Sequence, residues 1–127
     1  MKNRFSGLVV DDDASVREVL SNRLENREGY EIFQASNGLE CLRLADEMQP
    51  DFILLDLVMP EMNGLEVLEK LKSEPRTSAI PVFMLTSKSK MKNVEMALEA
   101  GASGYICKPV RVWDIVKKIR AQMACKD

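Results

Sequence analysis

Short, almost purely apolar runs alternate along the chain with longer stretches in which apolar residues recur every three or four positions. The first pattern marks strands covered on both faces, and the second marks helices with one buried side. Leu8-Val9-Val10 ends the first strand-like run, and three aspartates follow at once. Val16, Val19, Leu20 and Leu24 then recur at helical spacing, with Arg17, Glu18 and Arg23 on other faces, and Gly29 supplies the stop. Tyr30 to Phe33 reads as a second strand. Asn37 and Glu40 are spaced as a reciprocal capping pair opening a helix that turns Leu42, Ala45 and Met48 inward and ends before Pro50.

Phe52-Ile53-Leu54-Leu55 has the composition of a central strand, and Asp56 follows it. A turn containing Pro60, Asn63 and Gly64 leads to a third helix marked by Leu65, Leu68 and Leu71, ending before Pro75. Pro81 to Leu85 forms a fourth strand, and Met91, Val94 and Leu98 line a fourth helix closed by Gly101. Tyr105-Ile106-Cys107 is a short fifth strand, and Trp113, Val116, Ile119 and Met123 mark the last helix. Five strand–helix units in strict alternation, without repeat or linker, predict an α/β fold: a single doubly wound (βα)5 domain with helices on both faces of a parallel sheet. Right-handed crossovers bring every strand's C-terminal end to one edge, where such folds bind ligands.

Composition narrows the function. The chain's 127 residues fit one domain, 1–127, with no output domain visible, and 46% hydrophobic residues suffice for a core. A net charge of −2 without concentrated Lys and Arg argues against direct binding of nucleic acid. Lys117, Lys118, Arg120 and Lys126 read as a solvated helix face. Cys41, Cys107 and Cys125 form no C-x-x-C pair, and the chain has no His, so zinc is disfavoured and buried reduced thiols are expected. No apolar run approaches a membrane span and no signal peptide opens the chain, which predicts a soluble, cytoplasmic protein without membrane insertion.

The residues that follow the strands carry the chemistry: Asp11, Asp12 and Asp13 after the first, Asp56 after the third, Thr86 and Ser87 after the fourth, Lys108 after the fifth. Each has an ordinary reading alone, as helix-dipole partner, helix cap or solvated residue. Together they are harder to dismiss. Carboxylates gathered at one edge repel one another unless a cation or a proton intervenes. A hard cation such as Mg²⁺, held by one or two carboxylates and water, resolves that repulsion, and Lys108 adds a fixed positive charge. This pattern suits a phosphoryl group approaching a carboxylate, a transfer that depends on positioning and on neutralising oxygen charge.

Four segments then make a resemblance. Leu8-Val9-Val10-Asp11-Asp12-Asp13, Leu54 to Pro60 with Asn63-Gly64, Met84-Leu85-Thr86-Ser87, and Tyr105-Ile106-Cys107-Lys108-Pro109 resemble, in order and spacing, bacterial response-regulator receiver domains of two-component signalling. The resemblance covers essentially the whole chain and supplies the strand order 2-1-3-4-5. It implies that Asp56 is the phosphoacceptor for a sensor histidine kinase or phosphotransfer protein. Asp11, Asp12, Asp56 and the backbone carbonyl of Val58 are then the Mg²⁺ ligands. Thr86 and Lys108 match the groups that hold the phosphoryl oxygens, the bond to Pro109 is expected to be cis, and Thr86 and Tyr105 match the switch residues that remodel a partner-binding face.

Such a protein is a signalling phosphoacceptor rather than an enzyme acting on a separate substrate, although it promotes its own phosphorylation and slow dephosphorylation. Its downstream protein partner is not specified, and it is expected as a monomer or a phosphorylation-dependent dimer. Val58 and Lys88 occupy the positions from which a hydrolytic water is usually oriented, and neither carries a carboxamide or carboxylate. The main alternative is a receiver-shaped protein-binding module acting without phosphorylation, which predicts loss of an acid, the acceptor or the lysine. A flavodoxin-like cofactor binder conflicts with three aspartates where a phosphate would sit. A haloacid-dehalogenase-like phosphatase conflicts with Val58 where its second aspartate belongs.

Overall fold

The computed structural model describes residues 4–59, 62–87 and 93–124, with side chains through Gln122. Expectations placed on Pro60, Lys88, Met91, Cys125, Lys126 and the Met123 side chain lie outside the described residues. Five strands and five helices alternate: β1 (Ser6–Val10), α1 (Ala14–Glu28), β2 (Glu31–Ala35), α2 (Gly38–Met48), β3 (Phe52–Asp56), α3 (Gly64–Ser73), β4 (Val82–Thr86), α4 (Val94–Glu99), β5 (Gly104–Cys107) and α5 (Val112–Ala124). The strands form one parallel sheet in the order β2-β1-β3-β4-β5.

Side chains along a strand alternate between faces, and the three central strands show why they are apolar throughout. Leu8, Val10, Ile53, Leu55, Val82 and Met84 join one core with Cys41 and Ala45 of α2, Val67, Leu68 and Leu71 of α3, and Ala97 of α4. Val9, Phe52, Leu54, Phe83 and Leu85 point the other way and pack with Leu20 and Leu24 of α1 and Val112, Ile115, Val116 and Ile119 of α5. Both faces are therefore covered. Among the described residues no helix is long and apolar enough to cross a membrane.

Helix ends follow the capping expectations with one change. Gly29 adopts a left-handed φ of 73° beyond α1 and its N–H caps the last turn. The Asn37 carboxamide oxygen accepts from the Glu40 N–H at 2.8 Å, but the Glu40 carboxylate returns to the N–H of Ser36, not of Asn37. The fully reciprocal box is at α3, where Asn63 and Glu66 each accept from the other's N–H at 2.9 and 3.3 Å.

Helix phase departs from the sequence reading at four positions. Val19 (47% exposed), Met48 (40%), Leu98 (42%) and Trp113 (61%) face solvent. In α5 the inward line is Val112, Ile115, Val116 and Ile119; Trp113 sits about 100° round from Val112 and lies instead beside the Arg120 guanidinium. In α4 the inward pair is Val94 and Ala97, so Leu98 falls one step past it. In α2 the small residues Gly38, Cys41 and Ala45 make the contact, and Met48, in the last turn, falls off that line. In α1 the buried residues are Leu20, Ser21 and Leu24, which turns Val19 outward. Of the two described cysteines, Cys41 is buried as expected and Cys107 only partly so.

Candidate functional site

The winding of the sheet reverses between β1 and β3, and ligands bind at such a reversal. Strand register determines what meets there. Val10 pairs with Leu55, so the next residues, Asp11 and Asp56, end adjacent strands side by side. Asp56 pairs with Leu85, which brings Thr86 to the same edge, and Thr86 pairs with Cys107, so that Lys108 follows. The Lys108–Pro109 peptide is cis, as the resemblance implies.

A cleft of about 330 Å³ opens at this edge, lined by Asp11, Asp12, Asp13, Asp56, Val58, Leu85, Thr86, Ser87 and Lys108. Asp11 and Asp56 are buried, at 1% and 5% exposure, whereas Asp12 is exposed. Lys108 Nζ lies 3.3 Å from Asp11 Oδ2 and 3.6 Å from Asp56 Oδ1. Burial disfavours the Lys108 charge, but the carboxylates of Asp56 and Asp11 outweigh it and hold the ammonium above its ordinary pKa. Asp56 is pushed up to about 6, first by burial and then by the Asp11 charge, against the opposing pull of Lys108 and of the Val58 N–H. That N–H donates to Asp56 Oδ1 at 3.2 Å.

The residues fit a divalent cation. Carboxylate oxygens of Asp11, Asp12 and Asp56 all lie within 4.8 Å of one another, with one ammonium to balance them. Hard oxygen donors with excess negative charge are what Mg²⁺ selects. Asp13, the third of the run, does something else: its carboxylate caps α1, accepting from the N–H groups of Ser15 and Val16 at 2.9 and 3.4 Å. The structure thus separates Asp11 and Asp12 from Asp13, as the resemblance does.

Thr86 is buried at the cleft, and its hydroxyl donates to the Ser87 carbonyl at 3.2 Å. Tyr105 is half-buried on β5, opposite Met84, with Lys118 Nζ 5.4 Å from its ring centre. Val58 is 52% exposed at the rim. Two contributors escaped the sequence reading. Arg17, assigned to an outward face of α1, reaches back to donate to the Asp11 carbonyl at 2.7 Å. Gly64, read as a turn residue, lets α3 approach so closely that a Cβ there would lie 2.3 Å from the Asp56 carbonyl oxygen.

A doubly wound parallel sheet carrying an acidic triad, a lysine and a hydroxyl at its switch point defines a receiver-type phosphoacceptor protein. The comparisons agree. The response regulator receiver domain profile matches residues 8–120, and the chain belongs to that family. It is 39% identical over 120 residues to the DNA-binding response regulator MtrA of Mycobacterium tuberculosis, covering 94% of this chain and 51% of that one. The chain spans about half the length of the curated relatives it matches. Among solved structures, chemotaxis protein CheY4 of Vibrio cholerae superposes with a TM-score of 0.86 at 28% identity, over 94% of this chain and 98% of that one. A response regulator receiver domain protein from Clostridium thermocellum gives 0.87 at 29% identity, over 95% of both chains. The fold and the phosphoacceptor class expected from sequence are therefore established, and a receiver-shaped module without phosphorylation is not favoured.

Proposed function

We propose that Asp56 accepts a phosphoryl group from a phosphohistidine of a sensor kinase or phosphotransfer protein, and that residues 1–127 act as one receiver unit. The observation that carries the assignment is a buried carboxylate at the switch point, 3.6 Å from an ammonium and within ligand reach of two further acids. An oxygen of Asp56 forms the new O–P bond as the donor's N–P bond breaks, and the imidazole leaves. Lys108 stays paired to the cluster and meets the incoming phosphoryl oxygens. Asp11, Asp12, Asp56 and the Val58 carbonyl hold Mg²⁺, which when bound neutralises charge on both the carboxylates and the phosphoryl oxygens.

Thr86 then exchanges its bond to the Ser87 carbonyl for one to a phosphoryl oxygen, and Tyr105 turns into the space this releases. The change is a shift between two conformers, so the phosphoryl group has to favour one of them by only a few kcal/mol. Tyr105 adjoins Lys118 of α5, and exposed Met96, Leu98 and Trp113 lie on α4 and α5. The face rearranged by the switch binds the downstream protein or a second copy of the chain.

The test is intact-mass measurement after treatment with acetyl phosphate, with and without Mg²⁺, beside Asp56→Asn. A Mg²⁺-dependent gain of one phosphoryl group that the variant lacks supports the assignment. No gain from either acetyl phosphate or a phosphohistidine donor would overturn it and return the chain to a phosphorylation-independent binding role.

A further inference from the structure

The Asp12 carboxylate is the exposed member of the acidic triad, and among the described residues no hydrogen bond or ion pair from the protein reaches it. Its two neighbours are anchored. Asp11 has its N–H on the Ala35 carbonyl at 3.2 Å, and its carboxylate accepts from the Asp13 N–H at 2.9 Å and from Lys108. Asp13 caps α1, and its own carbonyl accepts from the Arg17 N–H at 3.1 Å. Between these anchors lies the Asp11–Asp12 peptide. Its carbonyl oxygen is held by Arg17 Nη1 at 2.7 Å.

A peptide unit is planar, so fixing its carbonyl oxygen fixes the plane that also contains the N and Cα of Asp12. The direction in which Asp12 leaves the backbone is set there. We infer that Arg17 is a positioning residue for the metal site: by holding the Asp11 carbonyl from the second turn of α1, it aims the otherwise unsupported Asp12 carboxylate at Asp11 and Asp56. The inference rests on the reading of Asp11, Asp12 and Asp56 as the Mg²⁺ ligands.

Charge and position make opposite demands on Arg17, which allows them to be separated. A guanidinium beside an acidic cluster repels a second cation, so if only its charge mattered, removing it would tighten Mg²⁺ binding. If it positions Asp12, removing it weakens binding. Losses of metal affinity from groups that orient ligands run from about tenfold upward, and an exposed site that also gains from the lost charge belongs at or below that figure.

The experiment is calorimetric titration of Mg²⁺ into the unphosphorylated chain and its variants, with urea unfolding run alongside. Arg17→Met keeps the side-chain stem but no donor, and is expected to weaken Mg²⁺ binding by up to about tenfold. Arg17→Lys, which restores a cationic donor, should recover most of the loss. In an Asp12→Ala background Arg17→Met should have little further effect, because the group it aims is gone; a general loss of stability would persist there. Arg17→Ala replaces the methionine variant should that one unfold. Unchanged or tighter binding in Arg17→Met, while Asp12→Ala weakens it, overturns the inference alone. Failure of the unmodified chain to bind Mg²⁺, or an Asp12→Ala variant that binds normally, overturns the metal-site reading beneath it.

Discussion

Replacing Gly64 with alanine adds one methyl group where α3 touches the strand that carries Asp56. The new Cβ would stand 2.3 Å from the Asp56 carbonyl oxygen and 2.8 Å from the Leu57 Cα. Carbon–oxygen contacts in proteins begin near 3.3 Å, so the two segments must separate by about 1 Å. The obstacle is backbone, and it is tied down: Leu57 N–H donates to the Leu85 carbonyl and Gly64 N–H to the Leu57 carbonyl, both at 2.9 Å. Overpacking of this kind costs about 1–3 kcal/mol, and the reduced freedom of the unfolded chain returns about 0.4–1 kcal/mol. A net loss of roughly 1–2 kcal/mol in urea unfolding is expected. The larger effect should be chemical, because the residue displaced is the phosphoacceptor, and a misplacement of about 1 Å can cost on the order of 10²-fold in rate. Gly29→Ala is the control. Nothing lies within 4 Å of its added Cβ, and its penalty comes from the left-handed φ of 73°, about 1–2 kcal/mol. The two variants should unfold at similar urea concentrations, yet only Gly64→Ala should accept phosphoryl groups slowly from acetyl phosphate in an intact-mass time course. Phosphorylation of Gly64→Ala within a factor of a few of the unmodified rate would refute the reasoning.

Three further outcomes are expected. In metal-free protein the Asp56 carboxyl lies at about 6, against roughly 3.9 in an unfolded chain. An acid raised in this way stabilises the fold fully below about pH 4 and progressively loses that contribution as pH rises to about 6, an effect on the order of 1–3 kcal/mol. Urea midpoints in EDTA should therefore fall across this range, Asp56→Asn should flatten the fall and be the more stable protein at neutral pH, and an unchanged slope in that variant would sink the assignment. Asp13→Ala should cost about 1 kcal/mol of stability through loss of the α1 cap while leaving Mg²⁺ affinity intact, and Asp12→Ala should do the reverse, as unfolding and calorimetry together would show. Val58→Asn places a carboxamide at the rim of the cleft and should shorten the half-life of the phosphorylated chain; an unaltered half-life would remove the idea that Val58 slows hydrolysis.

How much of this was legible in the sequence depended on the kind of contact involved. Strands buried on both faces leave a continuous apolar run, so β3 and β4 were readable to within a residue, and the polar residues that end such runs could be placed at one edge from the βα alternation alone. Asp11, Asp56, Thr86 and Lys108 were found in that way. Strand order was not readable from the residues, because every central strand is equally apolar; it came from the resemblance. Helix phase was read less well because an apolar residue one step past the buried line, as Trp113 and Leu98 are, satisfies the same rough spacing as its inward neighbour.

What escaped altogether were contacts from a side chain, or a missing side chain, to backbone. Every residue carries the same peptide group, so a partner such as the Asp11 carbonyl leaves no mark in the residue at that position. Arg17 then reads like any solvated arginine on an amphipathic helix, and Gly64 like any glycine in a turn. The two occupy equivalent places in the architecture: each lies on the helix that follows a site-bearing strand, and each governs the backbone next to a cleft carboxylate. The carboxylates declare the chemistry in the sequence, whereas their aim is set by residues whose identity points to nothing chemical. Variants at Arg17 and Gly64 therefore separate having the right side chains from holding them in register, which substitution of the aspartates themselves cannot do.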